Sequence, residues 1–302
     1  MKDLIILGVG PAGLSAAIYA ARAGLDAMVL EQQSPGGQAA TAHLIENYPG
    51  FPEGILGPDL AMAMMTQATN LGAQMVFEPV QKLELMGEIK RVHTAEQVWE
   101  ARAVLLTMGA EPREMGVDGE RRLRGMGVSY CATCDGNFFR NQDVTIVGGG
   151  DTAVTEALFL STICKSVTLV HRRQGFRAAQ SVVERMRQTS NIHLVLDAVP
   201  VCVEGDEAVD ALVVENKRTG AQQRIPCAAV FVAIGHLPKT DQVRGQVALD
   251  SYGYIETDAQ MRTNVPHVYA AGDVRNTVLR QVVTACADGA IAISTLEQEL
   301  HD

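Results

Sequence analysis

The chain predicts an α/β fold with two Rossmann-like dinucleotide-binding domains of the three-layer type, the second inserted into the first. Three observations carry this. The apolar run Leu4-Ile5-Ile6-Leu7 leads into Gly8-Val9-Gly10-Pro11-Ala12-Gly13 and then a helical pattern. A second run, Val144-Thr145-Ile146-Val147, leads into Gly148-Gly149-Gly150-Asp151-Thr152-Ala153. After both, from Asp241 to Asp302, a strand-and-turn stretch with Tyr269-Ala270-Ala271-Gly272-Asp273 precedes a closing helix.

The elements follow in order. Leu14 to Ala23 has helical apolar spacing and stops at Gly24; Ala27-Met28-Val29-Leu30 is a strand ended by Glu31, completing one βαβ unit. Pro58 to Leu71 reads as a helix begun by proline and ended near Gly72. From Met75 to Leu106 the chain alternates as strands. Thr152 to Thr162 is the second unit's helix, and Val167-Thr168-Leu169-Val170 its next strand. Further strands are expected at Ile192–Leu196, Val209–Glu215 and Ala228–Ala233. Crossings near Pro112 and Pro238-Lys239 divide the chain into residues 1–112, 113–239 and 240–302, the outer two forming one domain. The repeated glycine turn reads as duplication of a nucleotide fold rather than a solenoid.

Composition bounds the function. A chain of 302 residues with 47% hydrophobic side chains has full-sized cores and needs no disulfide staples. A net charge of -10 argues against nucleic acid or an anionic membrane as partner. The opening apolar run is too short for a signal sequence, and no run is long enough to span a membrane, so a cytoplasmic protein is expected. In that compartment a CxxC is catalytic or metal-binding more often than structural.

The first glycine motif carries every part of a dinucleotide-binding turn. Gly8 permits the tight turn, Gly10 lets backbone approach a pyrophosphate, and Gly13 lets helix and strand pack closely. Pro11 and Ala12 open the helix, whose N-terminus offers amide donors to phosphate. Glu31, 18 residues after Gly13, suits a ribose diol. The second motif, with Gly148, Gly150, Asp151, Thr152 and the small Ala153, ends its next strand in His171-Arg172-Arg173 rather than an acid. An acid repels a 2′-phosphate and arginines bind one, so NADPH is expected here, with Arg177 joining the cluster.

Cys131-Ala132-Thr133-Cys134 has the spacing of a redox disulfide. A haem site would need histidine after the second cysteine, where Asp135 stands. Structural zinc would need two further ligands, and Cys164, Cys202, Cys227 and Cys286 are scattered, so no metal is expected and those four read as core residues. Asp135 is placed to move a proton as the dithiol opens and closes, and helix capping is its other reading. Gly36-Gly37-Gln38 and the Asn47 loop offer amides to a flavin or a pyrophosphate, although alone they are ordinary turns. Asp273 suits a polyol hydroxyl, with the following helix turning its positive end to a reduced flavin. Met62, Met64 and Met65 read as core. Arg121, Arg122 and Arg124 read as a solvated face rather than as a dock for an acidic partner.

Together these residues resemble the small, low-molecular-mass class of bacterial thioredoxin reductases, class II of the pyridine nucleotide-disulfide oxidoreductases. The resemblance runs end to end. It is strongest at Cys131–Gly136, Gly148–Ala153 with Glu156-Ala157-Leu158, His171–Arg173 with Phe176-Arg177-Ala178, Phe231–His236, and Ala270–Asp273 with Arg280-Gln281. It implies FAD in the discontinuous outer domain, held by Gly10–Gly13, Glu31, Gly36–Gln38, Asn47, Val80, Gly272, Asp273, Arg280, Gln281 and Val282. It implies NADPH in the inserted domain, with Ile234 and His236 added to the arginine cluster. It further implies a homodimer that reduces thioredoxin, Cys134 facing the flavin and Cys131 attacking the substrate disulfide. Dithiol and nicotinamide then share one domain and take turns at one flavin, so that domain must rotate. Other partners within the same chemistry are a peroxiredoxin or a glutaredoxin-like protein. A ferredoxin-linked or dithiol-oxidase relative would lack Arg172, Arg173 and Arg177, and a redox sensor would lack turnover. Two departures stand out: Met108 replaces the usual threonine of Ala-Thr-Gly beside the flavin, and Ala39 replaces a leucine.

Overall fold

A computed structural model describes residues 1–32, 35–42 and 44–301 of the chain, His301 by its backbone alone. Two units separate: Met1–Glu111 with Leu237–Asp302, and Pro112–His236. The first segment of unit 1 forms β1 (Lys2–Leu7), α1 (Pro11–Arg22), β2 (Ala27–Glu31), α2 (Gly57–Asn70), β3 (Gln74–Phe77), β4 (Lys82–Glu84), β5 (Lys90–His93) and β6 (Val98–Leu106). β7 (Ala110–Pro112) leads out of it. Unit 2 forms β8 (Val128–Ser129), α3 (Ala132–Asp135), β9 (Asp143–Gly148), α4 (Asp151–Ser161), β10 (Ser166–His171), α5 (Gln180–Gln188), β11 (Ile192–Leu196), β12 (Ala198–Glu204), β13 (Ala211–Asn216), β14 (Gln222–Pro226) and β15 (Ala229–Ala233). β16 (His236–Pro238) leads back, and β17 (Val268–Ala270) and α6 (Val282–His301) complete unit 1. The two crossing segments, β7 and β16, pair with each other.

Unit 1 is built on a sheet of order β3-β2-β1-β6-β5-β4, with β17 also on β6. The long β6 shares one edge between two partners. Its first half pairs antiparallel with β5 (Val98 opposite His93) and its second half parallel with β17 (Val104 opposite Val268). Both faces of this sheet are covered, which explains why β1 is apolar at successive positions rather than alternating. Leu4 and Ile6 join the core of α1, α2 and α6; Ile5 and Leu7 join Val243, Ile255 and Val274 on the other face. Small residues let the helices approach closely: a Cβ on Gly289 of α6 would stand 2.2 Å from the Ala12 carbonyl oxygen of α1.

Unit 2 carries a fully parallel sheet of order β11-β10-β9-β15-β8. Val144, Ile146, Leu169 and Phe231 pack against α4 and α5. Val147, Val170, Val230 and Val232 face Leu212, Val214 and Ile225 of the antiparallel sheet β12-β13-β14. Two of those three strands, β12 and β14, are absent from the sequence reading. β12 contains Pro200 and a register shift between Pro200 and Cys202, and β14 leaves Gln222, Gln223 and Arg224 exposed. Each lies at the sheet edge, where period-2 patterning is weakest.

Candidate active site

The first glycine turn is shaped by close backbone approach. Gly8 has φ +113°, and a Cβ there would stand 2.6 Å from the Thr107 carbonyl oxygen. A Cβ on Gly13 would stand 1.9 Å from the Gly8 carbonyl oxygen, so only glycine lets α1 sit on the end of β1. Gly10, the N-cap of α1, meets nothing within 4 Å, and no side chain caps the helix. With Pro11 at the first helical position, the remaining amides of that turn are left for a ligand.

Three other predicted residues of unit 1, Glu31, Gly36 and Gly37, meet this turn. Glu31 Oε2 accepts the Val9 N–H at 2.8 Å, and the Gly36 N–H donates to the Val9 carbonyl at 2.7 Å. Gly37 packs over the Gly10 Cα, and Gln38 continues the 3₁₀ turn Gly37–Thr41. The Asn47 amide donates to Gln281 Oε1 at 2.9 Å, tying that loop to the start of α6 just before Val282. The Val80 carbonyl accepts from Gln242 Nε2 at 2.6 Å. Met108 is half-buried and, like Val80, packs against the core that holds Leu7, Leu106 and Val274.

Asp273 lies in the 3₁₀ turn Gly272–Val274 after β17. Burial pushes its carboxyl up to about 6, with Arg280 opposing and Asp288 adding to the shift. A buried ion pair holds this turn. Asp288 of α6 accepts from Arg275 Nε at 2.8 Å, Arg275 Nη2 at 3.2 Å and the Gly272 N–H at 3.0 Å. The Arg280 guanidinium stacks 4.1 Å from the Tyr254 ring centre, and its buried Nε finds no protein acceptor among the described residues. That orphaned donor, the open face over Gly10 and the uncapped α1 fit a bound dinucleotide carrying a flavin.

In unit 2, Gly148 and Ala153 touch closely: a Cβ on Gly148 would lie 2.6 Å from the Ala153 Cβ. Gly150 caps α4 with open space above it, as Gly10 does for α1. Thr152 is exposed, and Asp151 Oδ1 accepts the Ala179 N–H at 3.1 Å. The Arg177 N–H donates to the Gly149 carbonyl at 2.8 Å, so the loop after β10 folds back on the glycine turn. This brings Arg172, Arg173 and Arg177 to one place; all three are exposed, and none forms an ion pair among the described residues. His171 differs from them. It is buried, stacked on Phe176, with Nε2 3.1 Å from the Gly175 carbonyl oxygen and its ring where a Gly149 Cβ would be. Burial, then the three arginines, lower its pKa against the opposing Gly175 hydrogen bond. Ile234 is exposed and His236 half-buried in the segment after β15.

Cys131 and Cys134 are joined in a disulfide, Cα atoms 5.3 Å apart, with Cys131 the N-cap of α3. Ser129 ties the motif together. Its Oγ donates to Asp135 Oδ2 at 2.6 Å and accepts the Cys131 N–H at 3.1 Å. Asp135 makes no capping hydrogen bond to the following 3₁₀ turn; its Oδ2 takes the Ser129 hydroxyl instead. Before the motif, the Tyr130 hydroxyl donates to Glu120 at 2.9 Å, and Arg124 lies over the Tyr130 ring. Buried Glu120 also accepts the Met115 and Gly116 N–H groups. The sequence reading missed Ser129, Glu120, Arg275 and Asp288, because no spacing or motif marks partners that meet through the fold. Cys164 and Cys227 are buried; Cys202 and Cys286 are half-buried.

Known proteins match this chain along its length. The sequence profile of the family described as pyridine nucleotide-disulphide oxidoreductase matches residues 2–289. A thioredoxin reductase of Mycolicibacterium smegmatis is 45% identical over 303 residues, covering 100% of this chain and 97% of that protein. A bifunctional thioredoxin reductase/thioredoxin of Mycobacterium leprae is 44% identical, covering 100% of this chain and 66% of that one. The crystal structure of thioredoxin reductase from Streptococcus pyogenes superposes with a TM-score of 0.94 at 42% identity, covering 100% of this chain and 98% of that one. With a redox-spaced disulfide, two glycine turns and this match along its length, the chain belongs to the pyridine nucleotide-disulphide oxidoreductase family, in its low-molecular-mass thioredoxin reductase branch.

Proposed function

We propose that the chain is an NADPH-dependent thioredoxin-disulfide reductase with FAD as its resident cofactor. The observation that carries the reading is the Cys131–Cys134 disulfide at the head of α3, in the same unit as a glycine turn flanked by three exposed arginines. Residues 1–112 and 240–302 form the FAD domain, and residues 113–239 the NADPH domain. FAD, when bound, relays two electrons between a nicotinamide and a disulfide. Gly8, Gly10, Pro11, Ala12 and Gly13 cradle its pyrophosphate, Glu31 holds its ribose, and Gly36–Gln38, Asn47, Val80, Gly272, Asp273 and Arg280–Val282 line the rest. Gly148, Gly150, Asp151, Thr152 and Ala153 seat the NADPH pyrophosphate. Arg172, Arg173 and Arg177 pair with its 2′-phosphate, His171 backs them, and Ile234 and His236 lie alongside.

Two electrons and two protons open the disulfide to a dithiol. The Cys131 thiolate attacks one sulfur of the oxidised partner and expels the other as a thiolate. Cys134 then attacks the Cys131 sulfur, re-forming the Cys131–Cys134 bond and releasing the second partner thiolate. Asp135, beside this exchange, hands over the proton. The disulfide and the NADPH residues belong to unit 2 and the flavin residues to unit 1. Unit 2 therefore turns about its two crossings between half-reactions.

Thioredoxin is the favoured partner, supported by a relative that carries reductase and thioredoxin in one chain. The enzyme acts as a cytoplasmic homodimer; no described helix is long and apolar enough to cross a membrane. Anaerobic NADPH titration tests the reading. Flavin absorbance should bleach in the wild type and in Cys131→Ser and Cys134→Ser, and each variant should take up two electrons fewer. Unchanged absorbance would sink the proposal, and faster turnover with a peroxiredoxin or glutaredoxin-like protein would replace thioredoxin as the partner.

A further inference from the structure

We propose that Asp197, Gln174 and Arg218 position the arginine loop for a 2′-phosphate: Asp197 anchors the loop through Gln174, and Arg218 occupies the same carboxylate so that it neither captures a loop arginine nor repels the phosphate. The inference deepens the NADPH reading of this site and rests on it. The topology brings the three residues to the loop. β10 and β11 run parallel, with His171 opposite Leu196. The next residues, Arg172 and Asp197, therefore leave neighbouring strands at the carboxyl edge of the sheet, where such sheets bind their ligands. Asp197 is buried and lies between β11 and β12 with φ +55°, a conformation that aspartate and asparagine adopt more readily than other side chains.

Its contacts fix it on two sides. The Asp197 carbonyl accepts the Lys217 N–H at 2.7 Å, from the turn between β13 and β14. Its Oδ2 accepts from Gln174 Nε2 and, at 2.7 Å, from Arg218 Nε. Gln174 directly follows Arg172 and Arg173. The loop's other ties are His171 Nε2 at the Gly175 carbonyl and the Arg177 N–H on the Gly149 carbonyl. Both of those hold residues after Gln174, so the Asp197 contact steadies the stretch where Arg172 and Arg173 stand. The charges are arranged to match. A bare carboxylate here would pair with a loop arginine or repel a bound phosphate. Arg218, from a different hairpin, pairs with it instead and leaves the loop arginines for the ligand. The Arg218 side chain is 68% exposed, so the pair adds little stability, and its effect lies in where charge is placed.

The test uses the full chain with its flavin and two ligands that differ by the 2′-phosphate alone, adenosine 2′,5′-bisphosphate and adenosine 5′-monophosphate, titrated by calorimetry. Gln174→Met keeps the bulk and removes the donor. It should weaken the bisphosphate about tenfold, the size of one hydrogen bond to a charged group, and leave the monophosphate within about twofold. Arg218→Met uncovers the carboxylate and should weaken the bisphosphate about three- to tenfold, by an amount that shrinks in added salt. Asp197→Asn keeps an acceptor for Gln174 and suits the same backbone. It should bind the bisphosphate at least as tightly as wild type, and in its background Arg218→Met should change nothing. An unaltered bisphosphate affinity in Gln174→Met would overturn the proposal, as would equal losses for both ligands, the mark of a merely structural role. An Arg218→Met loss that persists beside Asp197→Asn would overturn the shielding. A failed NADPH reading shows itself separately: wild type would then bind the two ligands alike, whereas a failed clamp leaves the wild-type preference intact.

Discussion

Asp288→Leu isolates the ion pair that holds the Asp273 turn. The substitution leaves Arg275 without its anion, Nε having been 2.8 Å and Nη2 3.2 Å from Asp288, and the Gly272 N–H without its acceptor. Arg275 keeps only the Thr257 hydroxyl, at 3.0 Å. Removing one member of a buried pair costs about 3–5 kcal/mol. The side chains here are 14% and 9% exposed, so residual solvation of the guanidinium puts the expected loss at the lower end, about 3 kcal/mol. For a unit of this size that corresponds to roughly 6–12 °C in melting temperature. Adding Arg275→Met removes the stranded charge and should restore about 1–2 kcal/mol, because an apolar pair of similar volume escapes the desolvation penalty. Urea and thermal unfolding would be followed by circular dichroism together with flavin fluorescence, which reports on unit 1. A loss below about 1 kcal/mol in the single variant, or a double variant as unstable as the sum of the singles, would refute the reasoning.

The remaining expectations are briefer. Arg172→Ala with Arg173→Ala should raise KM for NADPH by about thirty- to a thousandfold and leave KM for NADH nearly unchanged, since charge-assisted phosphate contacts are worth about 1–2 kcal/mol each; steady-state kinetics with both nucleotides decides. Gly10→Ala meets nothing within 4 Å and should leave the apoprotein's melting unchanged while lowering flavin content. Gly13→Ala, driven into the Gly8 carbonyl, should cost about 1–3 kcal/mol in the apoprotein as well. Glu156 of α4 predicts a pH dependence of stability. Burial raises its folded pKa to about 7, above the ordinary 4.5, so the folded state binds more protons between those values and stability falls as pH rises through that window. The loss amounts to at most about 3 kcal/mol, and Glu156→Gln should flatten it when urea unfolding is compared at about pH 5 and pH 8.

Much of this protein is legible locally. Continuous apolar runs ending in glycine turns mark strands buried on both faces, because a parallel sheet sandwiched between layers leaves no polar side to alternate with. The glycines mark places where backbone must approach backbone: a Cβ on Gly13 would collide with the Gly8 carbonyl, and this is a property of the chain's own turn. Arg172, Arg173 and Arg177 lie within six residues, so their gathering follows from a short loop folding back. The spacing of Cys131 and Cys134 likewise suits one turn of helix.

What escaped the linear reading depends on contacts between distant residues. β14 keeps a solvent face, and β12 is broken by Pro200, so neither has a clean period. Sharing of the β6 edge between β5 and β17 joins segments far apart in sequence. His171 reads as one more basic residue of its loop, yet it is buried against Gly149 and Phe176. Arg275 with Asp288, and Ser129 with Asp135, follow no spacing rule. The chain's own order therefore specifies turns, strands, the nucleotide motifs and the redox pair, because those rest on backbone sterics and neighbours a few residues apart. Which charges are buried and which acids shift their protonation arise only on packing, since desolvation and hydrogen-bond partners come from whatever the fold brings alongside.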